Sequence, residues 1–96
     1  NVKVIACIND GGCLGAAEAV KAMGKATDDF AIFGADATAE ALAKIAEGGI
    51  YRGTVDIGPK NMGVMAVNTV LKLASGETLA SNNIAVEMKP ILQTPK

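Results

Sequence analysis

Histidine and tryptophan are absent from this chain, and only two Phe and one Tyr represent the aromatics. Without His, the chain lacks the commonest general base and the commonest metal ligand at neutral pH. No nucleophile–base pair takes its place, so the sequence predicts no enzyme, no metal and no cofactor. Cysteine is scarce too: Cys7 and Cys13 form neither a zinc spacing nor a Cys-x-x-Cys redox pair. Two buried free thiols are the expected state, with a disulfide as the minority reading. No apolar run approaches the roughly 20 residues that cross a membrane. Nine basic and ten acidic residues leave a net charge of −1 and no basic patch, which argues against a nucleic-acid partner.

What the chain does have is apolar character: half of its residues, many of them small. Ninety-six residues suffice for one small domain or a piece of one. Small side chains suit close helix-on-sheet packing but each buries little area. The chain begins at Asn1 and enters its first strand almost at once, as expected of an excerpt from a longer polypeptide or of a chain stripped of a leader.

Hydropathy patterning gives the order βαβαβαβ. Residues 2–8 form a near-continuous apolar strand of the kind covered on both faces. Asp10 offers an N-cap for a helix over residues 12–23, ended by Gly24. Strand two spans residues 30–34. Thr38 caps the next helix, Glu40 favours its N-terminal end, and Gly48-Gly49 stops it. Strand three covers residues 50–57. Gly58-Pro59 opens a third helix, in which Met62, Met65, Ala66, Thr69, Val70 and Leu73 recur at helical spacing, and Gly76 closes it. Residues 84–88 read as a fourth strand, bounded by Asn82-Asn83 and Pro90, and the short tail from Ile91 to Lys96 is expected either to pair at a sheet edge or to dangle. The fold class is therefore α/β, three-layer, with a mostly parallel sheet. The first three strands are expected to be parallel, with right-handed crossovers.

Each of the first three strands turns polar where it stops: at Asn9-Asp10, at Asp36 and at Asp56. Ligands of open α/β sheets bind beyond the carboxyl ends of the strands. Amide and carboxylate groups gathered there suit a ligand rich in hydroxyls, because carboxylates accept charge-assisted hydrogen bonds and an amide both donates and accepts. Asn9, Asp10, Asp36 and Asp56 are accordingly the candidate ligand-binding residues. Ion pairing of Asp56 with Arg52 or Lys60, and simple helix capping by Asp10, are the competing roles. Gly12-Cys13-Leu14-Gly15 followed by Asp36 faintly suggests a dinucleotide fingerprint, but Asp10 stands where that motif has its first glycine. A phosphoacceptor domain would need a lysine at the end of a later strand, and none ends the third.

Three stretches carry a family resemblance: Cys7-Ile8-Asn9-Asp10-Gly11-Gly12, Phe33-Gly34-Ala35-Asp36-Ala37-Thr38 and Gly53-Thr54-Val55-Asp56-Ile57-Gly58. In order and spacing the chain resembles the C-terminal part of type I periplasmic sugar-binding proteins, the ribose/galactose-binding group of ABC-transporter solute receptors. The resemblance implies half of a two-lobed receptor that closes on a monosaccharide or polyol, with Asn9 and Asp36 bonding sugar hydroxyls. It implies a membrane permease as partner and a periplasmic or extracellular, lipoprotein-anchored location. Residues 1–57 would be the core of the C-terminal lobe, and residues 58–96 the helix and strand that cross to the other lobe. The crossing falls near Asp56-Ile57, where Ile57 departs from the glutamine of ribose binders. The family's sugar-stacking aromatics lie largely outside this portion. Without the other lobe, the apolar face of the helix over residues 59–74 would either fold back on its own sheet or be exchanged between two copies in a homodimer. The effector-binding lobe of a LacI-type transcriptional regulator and a dinucleotide-binding enzyme fragment are the alternatives.

Overall fold

The computed structural model describes residues 1–94. Four strands and three helices alternate along the chain: β1 (Val4–Ala6), α1 (Asp10–Ala22), β2 (Ala31–Phe33), α2 (Ala39–Glu47), β3 (Tyr51–Asp56), α3 (Pro59–Ala74) and β4 (Lys89–Leu92). The sheet runs in the order β1-β2-β3-β4. The first three strands are parallel and β4 pairs antiparallel with β3. This is the mostly parallel α/β sheet that the sequence predicts.

Helix ends follow local chemistry. Thr38 Oγ accepts from the Ala41 N–H and caps α2, and Gly48 ends α2 in the left-handed conformation. Pro59 stands in the first turn of α3, where its missing N–H costs nothing. The cap of α1 differs from expectation: it is Asn9, whose Oδ1 accepts from the Gly12 N–H at 2.8 Å. Asp10 is the first helical residue.

One core joins α1 and α2 to the sheet. Cys13, Val20, Phe30, Ile32, Ala41, Ile45 and Tyr51 are buried together, with Ile5 and Leu14 packed against them. Ile5 and Ile32 face the helices, so strand alternation turns Val4, Ala6, Ala31 and Phe33 to the opposite face. Val4 is 59% exposed there. α3 does not cover that face, because none of its residues is buried. Residues 1–94 thus supply two of the three expected layers.

The expected fold-back of α3 onto its own sheet does not occur. Its 16 residues project from the core and help stretch the molecule to 59 × 25 × 18 Å. Val64, Val67, Val70, Leu71 and Leu73 are all more than half exposed. What lies along α3 is the returning chain. Ile84 and Val86 share a cleft of about 300 Å³ with Met62, Met65, Ala66 and Thr69.

That packing explains why the fourth strand is not at residues 84–88. The alternating apolar residues there face a helix, and the sheet pairing falls on Lys89–Leu92. Pro90 lies within this strand, opposite Val55. The Gln93 N–H donates to the Arg52 carbonyl, so alternation directs the N–H positions of residues 91 and 89 toward β3 and that of Pro90 outward. Proline is tolerated at this edge position because no ladder bond is lost.

Cys7 and Cys13 are bonded to one another, not free, with their Cα atoms 5.6 Å apart. The turn over residues 8–12 brings the end of β1 and the first turns of α1 within ordinary disulfide reach. Closing so short a loop removes little unfolded-state entropy, so reduction is expected to lower stability by about 2 kcal/mol. Urea unfolding with and without a dithiol reductant measures this; a loss above twice that value would mean that the bond also shapes the folded state.

Candidate functional site

Backbone hydrogen bonds bring the three strand ends to one edge. The Asp10 N–H donates to the Ala35 carbonyl at 2.7 Å, and the Asp36 N–H to the Val55 carbonyl at 2.9 Å. Asn9-Asp10 therefore adjoins the end of β2, which adjoins the end of β3. The four candidate residues occupy this edge in different ways.

Asn9 is exposed, and its Oδ1 is committed to the helix cap. Its side-chain NH₂ has no partner among the described residues and is left as a donor. Asp36 is exposed and makes no side-chain hydrogen bond among the described residues. Its φ is 111°, and that of Ala37 is 54°. Two consecutive non-glycine residues at positive φ form a strained turn. Asp56 is half-buried, and its Oδ1 accepts from the Gly58 N–H at 2.8 Å. It shapes the exit from β3 instead of pairing with Arg52 or Lys60. Arg52 donates to the Gln93 side chain and to the Asp28 carbonyl.

Asp10 departs from the expectation of a crevice ligand. It is wholly buried. Oδ1 accepts from the Tyr51 and Thr54 hydroxyls, both at 2.7 Å. Oδ2 accepts from the Thr38 N–H at 2.9 Å and from its hydroxyl at 3.2 Å. With four donors on two oxygens, the carboxylate is satisfied internally. It also lies at the N-terminal ends of both α1 and α2, where the helix dipoles favour negative charge. Burial pushes its pKa up, but the Thr38 N–H and the Thr54, Tyr51 and Thr38 hydroxyls outweigh that and hold it below the ordinary value. Burial, then the bond to Asp10 and the charges of Asp10 and Asp36, push the Tyr51 phenol above its ordinary range.

Tyr51 and Thr54 are three positions apart, which in a regular strand would place them on opposite faces. The register slips between Ile32 and Phe33, where Ile32 pairs with Tyr51 but Phe33 with Gly53. This bulge turns both hydroxyls to one oxygen. Gly34 completes the arrangement. A Cβ on it would stand less than 3.0 Å from the Tyr51 hydroxyl and from Asp10 Oδ1. Sequence reasoning missed Tyr51, Thr54 and Gly34. The available signals were a lone tyrosine opening a strand and a threonine amid apolar residues.

Asn9 and Asp36 are both exposed at this sheet edge, next to the buried polar network of Asp10, Tyr51, Thr54 and Thr38. Clefts of about 300 to 520 Å³ lie elsewhere, one of them a 400 Å³ groove between α1 and α2. None of these includes Asn9, Asp36 or Asp56 among its lining residues. Among the described residues no cluster could hold a metal ion, and no helix is long and apolar enough to cross a membrane.

A family model described as a periplasmic binding protein domain matches residues 1–78, a span that contains all four candidate residues. No curated protein matches the chain. Proteins of this family bind small molecules without transforming them, in the bacterial periplasm or outside the cell. On a match covering most of its length, the chain belongs to the periplasmic binding protein domain family.

Proposed function

We propose that this chain supplies half of the pocket of a receptor for a monosaccharide or similar polyol, which delivers its ligand to an ABC-transporter permease. The observation that carries the reading is Asp36: an exposed carboxylate with no internal partner, held on a strained turn at the carboxyl edge. Strain of this kind concentrates at binding sites. At the same edge Asn9 offers free N–H donors and Asp36 offers acceptors. A hydroxyl serves both, accepting from the first and donating to the second. An exposed edge of this kind suits a ligand completed by a second lobe, with closure stabilised by the ligand's higher affinity for the closed state. In that architecture the projecting α3 packs its apolar face on the other lobe; exchange of α3 between two copies is the alternative cover.

The disulfide bears on the regulator alternative. Disulfides persist in oxidising compartments such as the periplasm and are rare in the cytosol, where a transcriptional regulator works. The dinucleotide alternative is disfavoured locally, because Asn9 occupies the Gly12 N–H that a pyrophosphate would need.

Half a pocket binds weakly. Titrating the ¹⁵N-labelled chain with a panel of pentoses, hexoses and alditols is expected to shift the amides around Asn9 and Asp36, with dissociation constants of about 1 mM or weaker. Nicotinamide dinucleotide serves as the negative control. Shifts confined to other surfaces, or none with any polyol at 100-fold lower to saturating concentrations, would defeat the sugar reading; micromolar affinity would defeat the half-pocket reading.

A further inference from the structure

The turn that carries Asp36 is strained at two successive residues, so something must hold it. Three consecutive backbone N–H groups show what does. The Asp36 N–H donates to the Val55 carbonyl at 2.9 Å, the Ala37 N–H to Thr54 Oγ at 3.2 Å, and the Thr38 N–H to Asp10 Oδ2 at 2.9 Å. The last two acceptors are not independent. The Thr54 hydroxyl donates its own hydrogen to Asp10 Oδ1 at 2.7 Å, which turns an oxygen lone pair toward Ala37. Asp10 thus acts on the turn twice, once directly and once through Thr54. Its own N–H is fixed by the Ala35 carbonyl, on the other side of the same turn.

The geometry points to Asp10 and Thr54 as positioning residues that clamp the Asp36–Ala37 turn in its strained form, so that Asp36 meets a hydroxylated ligand already aimed. The role in binding rests on the polyol reading above; the clamp itself does not. Preorganisation of this kind raises affinity by removing the ordering cost from the binding step. It also gives the buried carboxylate a purpose beyond support. An apolar residue pair could fill the same space, but could not fix a lone pair on Ala37 and an acceptor on Thr38 at once. Neither Asp10 nor Thr54 touches the ligand. Asp10 is wholly buried and Thr54 nearly so.

Amide hydrogen exchange on the intact chain tests the clamp without any ligand. The quantity read is the protection of the Ala37 and Thr38 amides relative to the ladder amides of Ile32 and Gly34. In Thr54→Val the Ala37 amide is expected to lose at least fivefold protection relative to Ile32, the equivalent of one ordinary hydrogen bond. Thr54→Ser, which keeps the hydroxyl, is expected to restore it. Asp10→Asn is expected to release Ala37 and Thr38 together. A role confined to general support would speed all four amides in proportion, and that result overturns the proposal, as would an Ala37 amide already unprotected in the parent chain. Should Asp10→Asn not fold, the Thr54 pair decides alone.

The sugar titration is repeated on Thr54→Val and Thr54→Ser. Weakening of at least fivefold at Asp36 in the valine variant, recovered in the serine variant, supports the link to binding; equal affinities overturn it. If no polyol binds the parent chain, the pocket reading fails while the exchange data still judge the clamp. If polyols bind but relative protection is unchanged in Thr54→Val, the clamp fails and the pocket reading stands.

Discussion

Gly34→Ala is expected to unfold the chain or leave it without a cooperative transition, although the change adds one methyl group. That methyl would overlap the Tyr51 hydroxyl and Asp10 Oδ1, and would lie 3.2 Å from the Asp10 Cα. Neither oxygen can yield freely. Moving either breaks the bond between them and leaves a buried carboxylate short of donors, at a cost of about 3–5 kcal/mol. Small domains have total stabilities of about 5–15 kcal/mol, and this one, with a core of few large side chains, is expected near the lower end. Gly15→Ala is the matched control. Nothing lies within 4 Å of a Cβ at Gly15, which sits inside α1. There the same substitution should stabilise by roughly 0.5–1 kcal/mol through helix propensity. Urea unfolding followed by circular dichroism reads both; a Gly34→Ala midpoint equal to that of the parent chain would show that the network is not tightly enclosed.

Asp10→Ala carries the second large effect and a pH signature. The substitution leaves the Tyr51 and Thr54 hydroxyls and the Thr38 N–H without their acceptor. At about 1–3 kcal/mol for each buried group so stranded, the expected loss is of order 3–9 kcal/mol, less where water enters. The sign of the pH dependence follows from the direction of the shift. The folded-state pKa of Asp10 lies below its ordinary value. Its ionised form therefore contributes stability that is fully present above the unfolded-state pKa of about 4 and is lost as pH falls through the lower, folded-state value. Tyr51 works in the other direction. Its raised pKa gives stability that is present below the unfolded-state value of about 10 and is lost as pH rises above it. The charged and titratable groups that meet at this point are Asp10 itself, Tyr51 from β3 and Asp36 from the end of β2. Asp29 also has a lowered pKa, from hydrogen bonds with Lys3 and Thr27 at an exposed site. The acid limb is therefore measured in a Lys3→Ala background, where the Asp29 share is reduced. Thermal unfolding from pH 2 to 7 is expected to lose much of its acid slope in an Asp10→Asn variant. An unchanged slope would place the acid sensitivity elsewhere.

The parts of this fold that were legible from sequence are those fixed by local rules. Thr38 and Gly48 bracket α2, Pro59 opens α3, and Gly24 and Gly76 follow the helices they end, each at positive φ. The order of elements and the parallel run of the first three strands followed from the alternation of strands with helices. The fourth strand was misplaced because Ile84, Val86 and Met88 alternate as a strand does, whereas two of them line a cleft along a helix. Pro90 then argued against the true strand, and only its outward register removes the objection. Of the site, the strand-end positions of Asn9, Asp36 and Asp56 were readable. The inward turn of Asp10 was not. It depends on a one-residue register slip that brings Tyr51 and Thr54 to the same oxygen, and on space left by a glycine in a third segment. Neither is written in the local sequence. The disulfide escaped for a similar reason: spacing alone does not reveal that a strand end and a helix turn face each other.

The reach of the Asp10 carboxylate along the chain bears on how the molecule assembles. Its partners stand 28, 41 and 44 residues away. An early collapsed form built from β1, α1, β2 and α2 alone would enclose the acid with Thr38 but without either β3 hydroxyl, and would be penalised for it. Half-built forms are thereby disfavoured relative to the form in which β3 has docked. One acidic side chain thus acts as a checkpoint that favours all-or-none folding of three sequence-distant segments.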